Sequence, residues 1–104
     1  MAFRVKITPK AAREMDIILT WLLTHGAGDT GVRWFRGLRE AINSLSELPT
    51  RCSLAPESAK TSYEVRQLLY GHKRRTYRIL FVIREDLVEV LHVRGPRQNP
   101  VSLH

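Results

Sequence analysis

The stretch HKRRTYRILFVI, residues 72–83, sets Lys73, Arg74 and Arg75 immediately ahead of an apolar, strand-like run. Three consecutive cations at one turn make a local maximum of positive potential, and the groups such a point retains best are phosphates and carboxylates. A turn needs polar residues, but not three of one sign. The plain alternative is a solubilising turn. The whole chain leans the same way: 17 Lys and Arg against 10 Asp and Glu give a net charge of +7 over 104 residues. A nucleic acid, a ribosome or an acidic protein is the partner class this balance suits. Other chemistry is narrowly bounded. Cys52 is the single cysteine, so no internal disulfide and no cysteine-based zinc site can form, and no metal is expected. His72 in a turn and His92 on a strand read as structural rather than catalytic.

The elements that must position these cations can be read from periodicity. FRVKIT, residues 3–8, alternates apolar and polar residues as a half-buried strand does. Thr8 followed by Pro9 is a helix start, a hydroxyl cap with proline in the first turn. Ala11, Ala12, Met15, Ile18, Leu19, Leu22 and Leu23 then recur at helical spacing until Gly26. A second start at Asp29–Thr30 opens a stripe of Trp34, Phe35, Leu38, Ala41, Ile42, Leu45 and Leu48, which stops before Pro49. Both stripes read as core rather than as a cofactor box, and no cofactor is expected. Residues 49–62, with two prolines and no periodicity, read as a connecting loop.

Three strands are predicted after it: Tyr63 to Tyr70, Thr76 to Arg84, and Leu87 to Arg94. Glu85–Asp86 makes a two-residue turn between the last two. The order β-α-α-β-β-β describes an α+β domain, with a helical hairpin on one face of a mostly antiparallel four-stranded sheet. A single domain spanning residues 1–104 is expected, in a reducing cytoplasm. Arg4 and Lys6 stand where a signal peptide needs an apolar run. The longest apolar stretch, MDIILTWLL, is too short to span a bilayer, and no membrane partner is expected. Pairing Arg84 with Leu87 puts Ile79, Phe81, Ile83, Val88, Val90 and His92 on one face, which should lie under the helices. Arg78, Leu80, Val82, Arg84, Leu87, Glu89 and Leu91 fall on the other, which should be the exposed or functional face.

With these elements in place, the chain resembles the RelE/ParE superfamily of toxins from bacterial type II toxin–antitoxin systems. The resemblance covers nearly the whole chain. It is carried by AREMDIILTWLL (Ala12 to Leu23), by INSLSELPTRC closing the second helix, and by the sheet segment VRQLLYGHKRRTYRILFVIREDLVEVLHVRGPRQ. Its most specific part is YRILFVI…VEVLHVR. It implies a small basic toxin that arrests growth and is neutralised by a cognate antitoxin, here expected to be acidic. One branch of the superfamily cleaves mRNA on the ribosome without a metal. The other, ParE-like, binds and poisons DNA gyrase.

Metal-independent RNA cleavage needs a base for the 2′-hydroxyl, an acid for the leaving oxygen, and cations for the phosphate. By the resemblance, Arg78 matches the family arginine of the "YR" motif, Arg66 a basic position on the preceding strand, and Arg97 the arginine after the last strand. Converging on one face, three guanidiniums would grip a scissile phosphate. The companion position to Arg66 is Glu64 rather than a lysine. As a carboxylate, Glu64 is a candidate base and equally a salt-bridge partner for a neighbouring arginine. No tyrosine follows the last strand, and the tail QNPVSLH offers only His104 as a titratable side chain. The incomplete catalytic set and the long helical hairpin favour the ParE-like branch over RNA cleavage. A partner surface built from Lys73, Arg74, Arg75, Arg78, Arg94 and Arg97 suits either target. A third reading is a non-toxic relative that only binds an antitoxin.

Overall fold

The computed structural model describes residues 2–26 and 28–96. Strand β1 (Arg4–Ile7) leads into helix α1 (Pro9–Thr24), followed by α2 (Gly28–Asn43), β2 (Arg66–Tyr70), β3 (Tyr77–Arg84) and β4 (Leu87–Arg94). Thr8 makes the first junction in two ways. Its hydroxyl accepts from the Ala11 N–H at 3.3 Å, capping α1, and donates to the Val90 carbonyl at 2.8 Å, tying the helix start to β4. Helix α2 is shorter than its apolar stripe. It gives way to a 3-10 turn at Ser44–Ser46 that still buries Leu45, and Leu48 then takes a left-handed φ of 46° and turns outward. The proline after it cannot continue a helix, so the chain reverses at the residue before.

The sheet runs β1-β4-β3-β2, with β1 parallel to β4 and the other pairs antiparallel. Arg84 pairs with Leu87 across the Glu85–Asp86 turn as expected, and Glu85 takes the positive φ the turn requires. Ile79, Phe81, Val88 and Val90 then meet Ala11, Met15, Leu38, Ile42 and Leu45 in one core beneath the helices.

Two expectations about the faces are corrected. A register shift at Leu80/Phe81 leaves Leu91 as an extra residue, so His92 pairs with Leu80. Val93, opposite Ile79, takes the place under the helices that the alternation gave to His92. One extra residue inverts the parity of everything beyond it. The opposite face is also not open. Residues 49–62 are not a structureless connector but carry 3-10 turns at Pro49–Arg51 and Pro56–Lys60. They bond along the edge of β2, with the Ala55 N–H to the Val65 carbonyl at 2.7 Å and the Gln67 N–H to the Ser53 carbonyl at 3.0 Å. Ala55 and Val65 bury Leu80 and Val82 in a second, smaller core with Leu91 against it. An aliphatic pair on a solvent face would lose its burial free energy, and this strap recovers it.

Helix α2 meets β2 most closely at Tyr70. The Tyr70 hydroxyl donates to the Trp34 carbonyl at 2.7 Å, and its ring stands edge-on to Trp34. A Cβ on Gly37 would lie 2.3 Å from that hydroxyl. Alanine normally exceeds glycine in a helix by about 1 kcal/mol. Here the added methyl would push the phenol off the Trp34 carbonyl, and Gly37→Ala should lower the urea-unfolding free energy by about 1–3 kcal/mol. In a Tyr70→Phe background the same change should cost distinctly less, and equal costs in the two backgrounds would refute the clash. Burial, and secondarily the Glu40 carboxylate, pushes the Tyr70 phenol above its usual value. The folded chain therefore favours the protonated phenol. That contribution is complete below about pH 10, where unfolded tyrosine ionises, and is lost as pH rises through the folded-state value. Stability should thus fall more steeply above about pH 10 in the wild type than in Tyr70→Phe. Parallel curves would rule this out.

Candidate functional site

The basic turn is held rigidly. Gly71 has a φ of 112°, and a side chain there would meet the Arg75 carbonyl at 2.2 Å, so only glycine fits. Lys73 takes a φ of 53° at the start of the 3-10 turn Lys73–Arg75. The Arg75 N–H donates to the His72 carbonyl at 3.0 Å, and the Thr76 hydroxyl to the Lys73 carbonyl at 2.7 Å. Lys73, Arg74 and Arg75 are all exposed, and none forms an ion pair among the described residues. His72 is exposed on the same turn.

Arg78 is placed very differently. It lies on the face away from the helices, but its guanidinium grips Glu57, a carboxylate only 4% exposed in the Pro56–Lys60 turn. Its Nη1 donates to Glu57 Oε2 at 3.0 Å, its Nη2 to Oε1, and its Nε to Gln67 Oε1 at 3.0 Å. This bidentate pair pins the strap to the sheet.

Arg66 does not join it. Arg66 pairs with Phe81 and Arg78 with Leu69, three residues along β2 from Arg66. An odd offset puts the two side chains on opposite faces, about 10 Å apart along the strand. Arg66 instead donates to the Cys52 carbonyl at 2.7 Å and lies 3.6 Å from the exposed Glu64 carboxylate. Those two residues line a groove of about 560 Å³ with Thr50, Tyr63 and Arg84. Burial raises the Cys52 thiol above its usual value, with Arg51 and Arg66 opposing, so it is a packed side chain rather than a nucleophile.

Arg94 belongs to a third cluster. Beyond Val90, β4 outruns the four-residue β1, and Glu14 of α1 takes over its edge. One Glu14 oxygen accepts the Val93 N–H at 3.0 Å, and the other lies 3.4 Å from Arg94 Nη1. The buried His92 Nδ1 lies 3.3 Å from the same carboxylate. Arg97 and His104 lie outside the described residues. Of the expected set, the structure therefore joins Glu64 to Arg66 and seats Arg78 beside Lys73 and Arg74, while Arg66 and Arg78 do not converge. Among the described residues no three metal-ligating side chains cluster, and no helix is long and apolar enough to cross a membrane.

Sequence reasoning missed two features. Glu57 sits in an aperiodic segment, and nothing local marks it as buried. The other is an apolar groove of about 550 Å³ along the helical hairpin, lined by Leu19, Leu23, Val32, Phe35, Arg36 and Arg39. Leu23 is more than half exposed there, as are Ile17 and Trp21 on the other flank of α1. A signal existed: Ile17 and Trp21 widen the apolar face of α1 beyond what one sheet can cover.

Comparison with known proteins places the fold and the family. The solved structure of a chromosomal ParDE toxin–antitoxin system from P. aeruginosa has the same fold, with a TM-score of 0.72 at 16% identity. The superposition covers 90% of this chain and 96% of the other. No curated protein sequence matches. The model for the ParE toxin of the type II toxin–antitoxin system parDE matches residues 5–100. With the match running from β1 past the end of β4, the chain belongs to the ParE toxin family of type II toxin–antitoxin systems.

Proposed function

We propose that this chain is a growth-arresting cytoplasmic toxin that acts by binding and poisoning DNA gyrase, and that an acidic antitoxin neutralises it. The observation that carries the choice of target is the fate of Arg78. A nuclease reading asks Arg66 and Arg78 to share a phosphate, whereas here Arg78 is locked to Glu57 and Arg66 faces the other way. Binding a large protein target asks only for surface, and the hairpin groove and the basic turn supply it. The antitoxin is the occupant that the hairpin groove fits. Its apolar floor suits the nonpolar side of a helix, and Arg36 and Arg39, which outnumber Glu40 as the one carboxylate of the lining, suit acidic flanks. Expression without a partner should stop growth, and co-expression of the antitoxin should restore it. Purified toxin should inhibit gyrase supercoiling at low micromolar concentration. Ribosome-dependent mRNA cleavage by the pure protein, with gyrase unaffected, would replace this reading with the nuclease one.

The two targets also differ in what Arg78 variants do. Arg78→Ala leaves the Glu57 carboxylate buried without its guanidinium, which should cost about 3–5 kcal/mol in urea unfolding. Toxicity should fall with the fold. A Glu57→Leu/Arg78→Met double variant removes both charges and should recover most of the stability, as replacing a buried pair by apolar residues commonly does. Toxicity should return with it. A double variant that folds yet stays harmless would make Arg78 a functional contact and sink the gyrase argument.

A further inference from the structure

The cations of the turn divide between two cavities that share Pro96. Lys73 and Arg74 line one of about 420 Å³, together with Leu69, Thr76 and Arg78. Arg75 lines the other, of about 410 Å³, with Trp21, Trp34, Tyr77 and Thr30. The alternation of β3 is the cause. Thr76 and Arg78 face away from the helices, while Tyr77 faces the hairpin. Both tryptophans of the chain therefore stand at the second cavity. Their rings are fixed in advance. Trp21 is 57% exposed and stacks on His25 at 4.3 Å with 16° between the planes. Trp34 holds Tyr77 edge-on at 5.0 Å. Arg75, on the turn that Gly71 closes, lines the same cavity as these rings, and Arg74 and Lys73 precede it along the chain.

Fixed aromatic faces next to a short row of cations without acidic partners are what an unpaired base and its flanking phosphates need. The geometry points to a single-stranded nucleic-acid site at this end of the sheet. One base stacks in the aromatic cavity, Arg75 meets the adjoining phosphate, and Arg74 and Lys73 meet the next ones. A paired base cannot enter, because its two faces are covered by its neighbours in the duplex. An apolar peptide would fill the cavity but leave three cations uncompensated. The inference goes beyond the gyrase reading and stands without it, since it concerns what the chain binds alone.

The tryptophans provide the readout. The purified chain is titrated with a twelve-residue oligothymidylate, following tryptophan emission and, with a labelled copy, anisotropy. Emission should be quenched in step with the anisotropy rise. The logarithm of the binding constant should fall with log salt at a slope of about −2, three phosphates at about 0.7 each. Arg75→Gln should weaken binding and reduce the slope by about 0.7. Trp21→Leu, at an exposed position, should weaken binding roughly tenfold at an unchanged slope. A duplex of equal length should bind more weakly and leave the emission unquenched. Three results would overturn the site: no binding at low salt, binding without quenching, or duplex and single strand bound alike. A Glu–Phe peptide that quenches where the oligonucleotide does not would assign the cavity to an acidic protein instead.

Discussion

The buried pair between Arg78 and Glu57 is the contact on which the outer half of this domain depends. A carboxylate 4% exposed is expensive to desolvate, and only a partner of matching geometry offsets the cost. The planar guanidinium meets both carboxylate oxygens, and Gln67 takes its remaining side. The pair adds little net stability over an apolar equivalent, but it admits one arrangement of the strap. With Glu57 fixed, Ala55 and Val65 settle on Leu80 and Val82, and the sheet acquires a second covered face. The arginine that the family resemblance sets at a candidate catalytic position is the one that holds the strap to the sheet.

Much of the fold was legible because its determinants are local. Thr8–Pro9 announces α1 by cap chemistry, and Glu85–Asp86 sets the β3–β4 register by its length. The alternation in ILFVI marks the face under the helices. What was hidden depends on residues far apart in the chain. The extra residue at Leu91 carries no glycine or proline to betray it, yet it moves His92 out of the helix-facing set. The strap reads as a loop because its burial comes from partners on β2 and β3 and not from any period of its own.

The candidate site was legible in composition but not in geometry. The row Lys73–Arg75 is where the sequence placed it, exposed at the end of the sheet. The relation of Arg66 to Arg78 could not be read, because the β2–β3 register is set by a six-residue loop whose left-handed positions at Gly71 and Lys73 are invisible as a pattern. Tyr70 pairs with Tyr77 across it, and from that pairing the parity of Arg66 follows. A loop one residue longer or shorter would reverse it.

The distribution of acids then decides where the excess positive charge emerges. Glu57, Glu64, Glu89 and Glu14 lie against Arg78, Arg66, Arg84 and Arg94, so the arginines of β2, β3 and β4 are largely compensated within the sheet. The turn at Lys73–Arg75 and the Arg36–Arg39 rim of the hairpin groove form no ion pair among the described residues, although Glu40 lines that groove too. Other cations, Lys10, Arg13 and Arg33 among them, also form no ion pair among the described residues, but these two groups stand beside exposed apolar or aromatic surface. Trp21 belongs to the first, lining the aromatic cavity with Arg75, and Leu19 and Leu23 belong to the second. Ile17 and Trp21 share one flank of α1, while Leu23, two residues on from Trp21, faces the hairpin groove on the other.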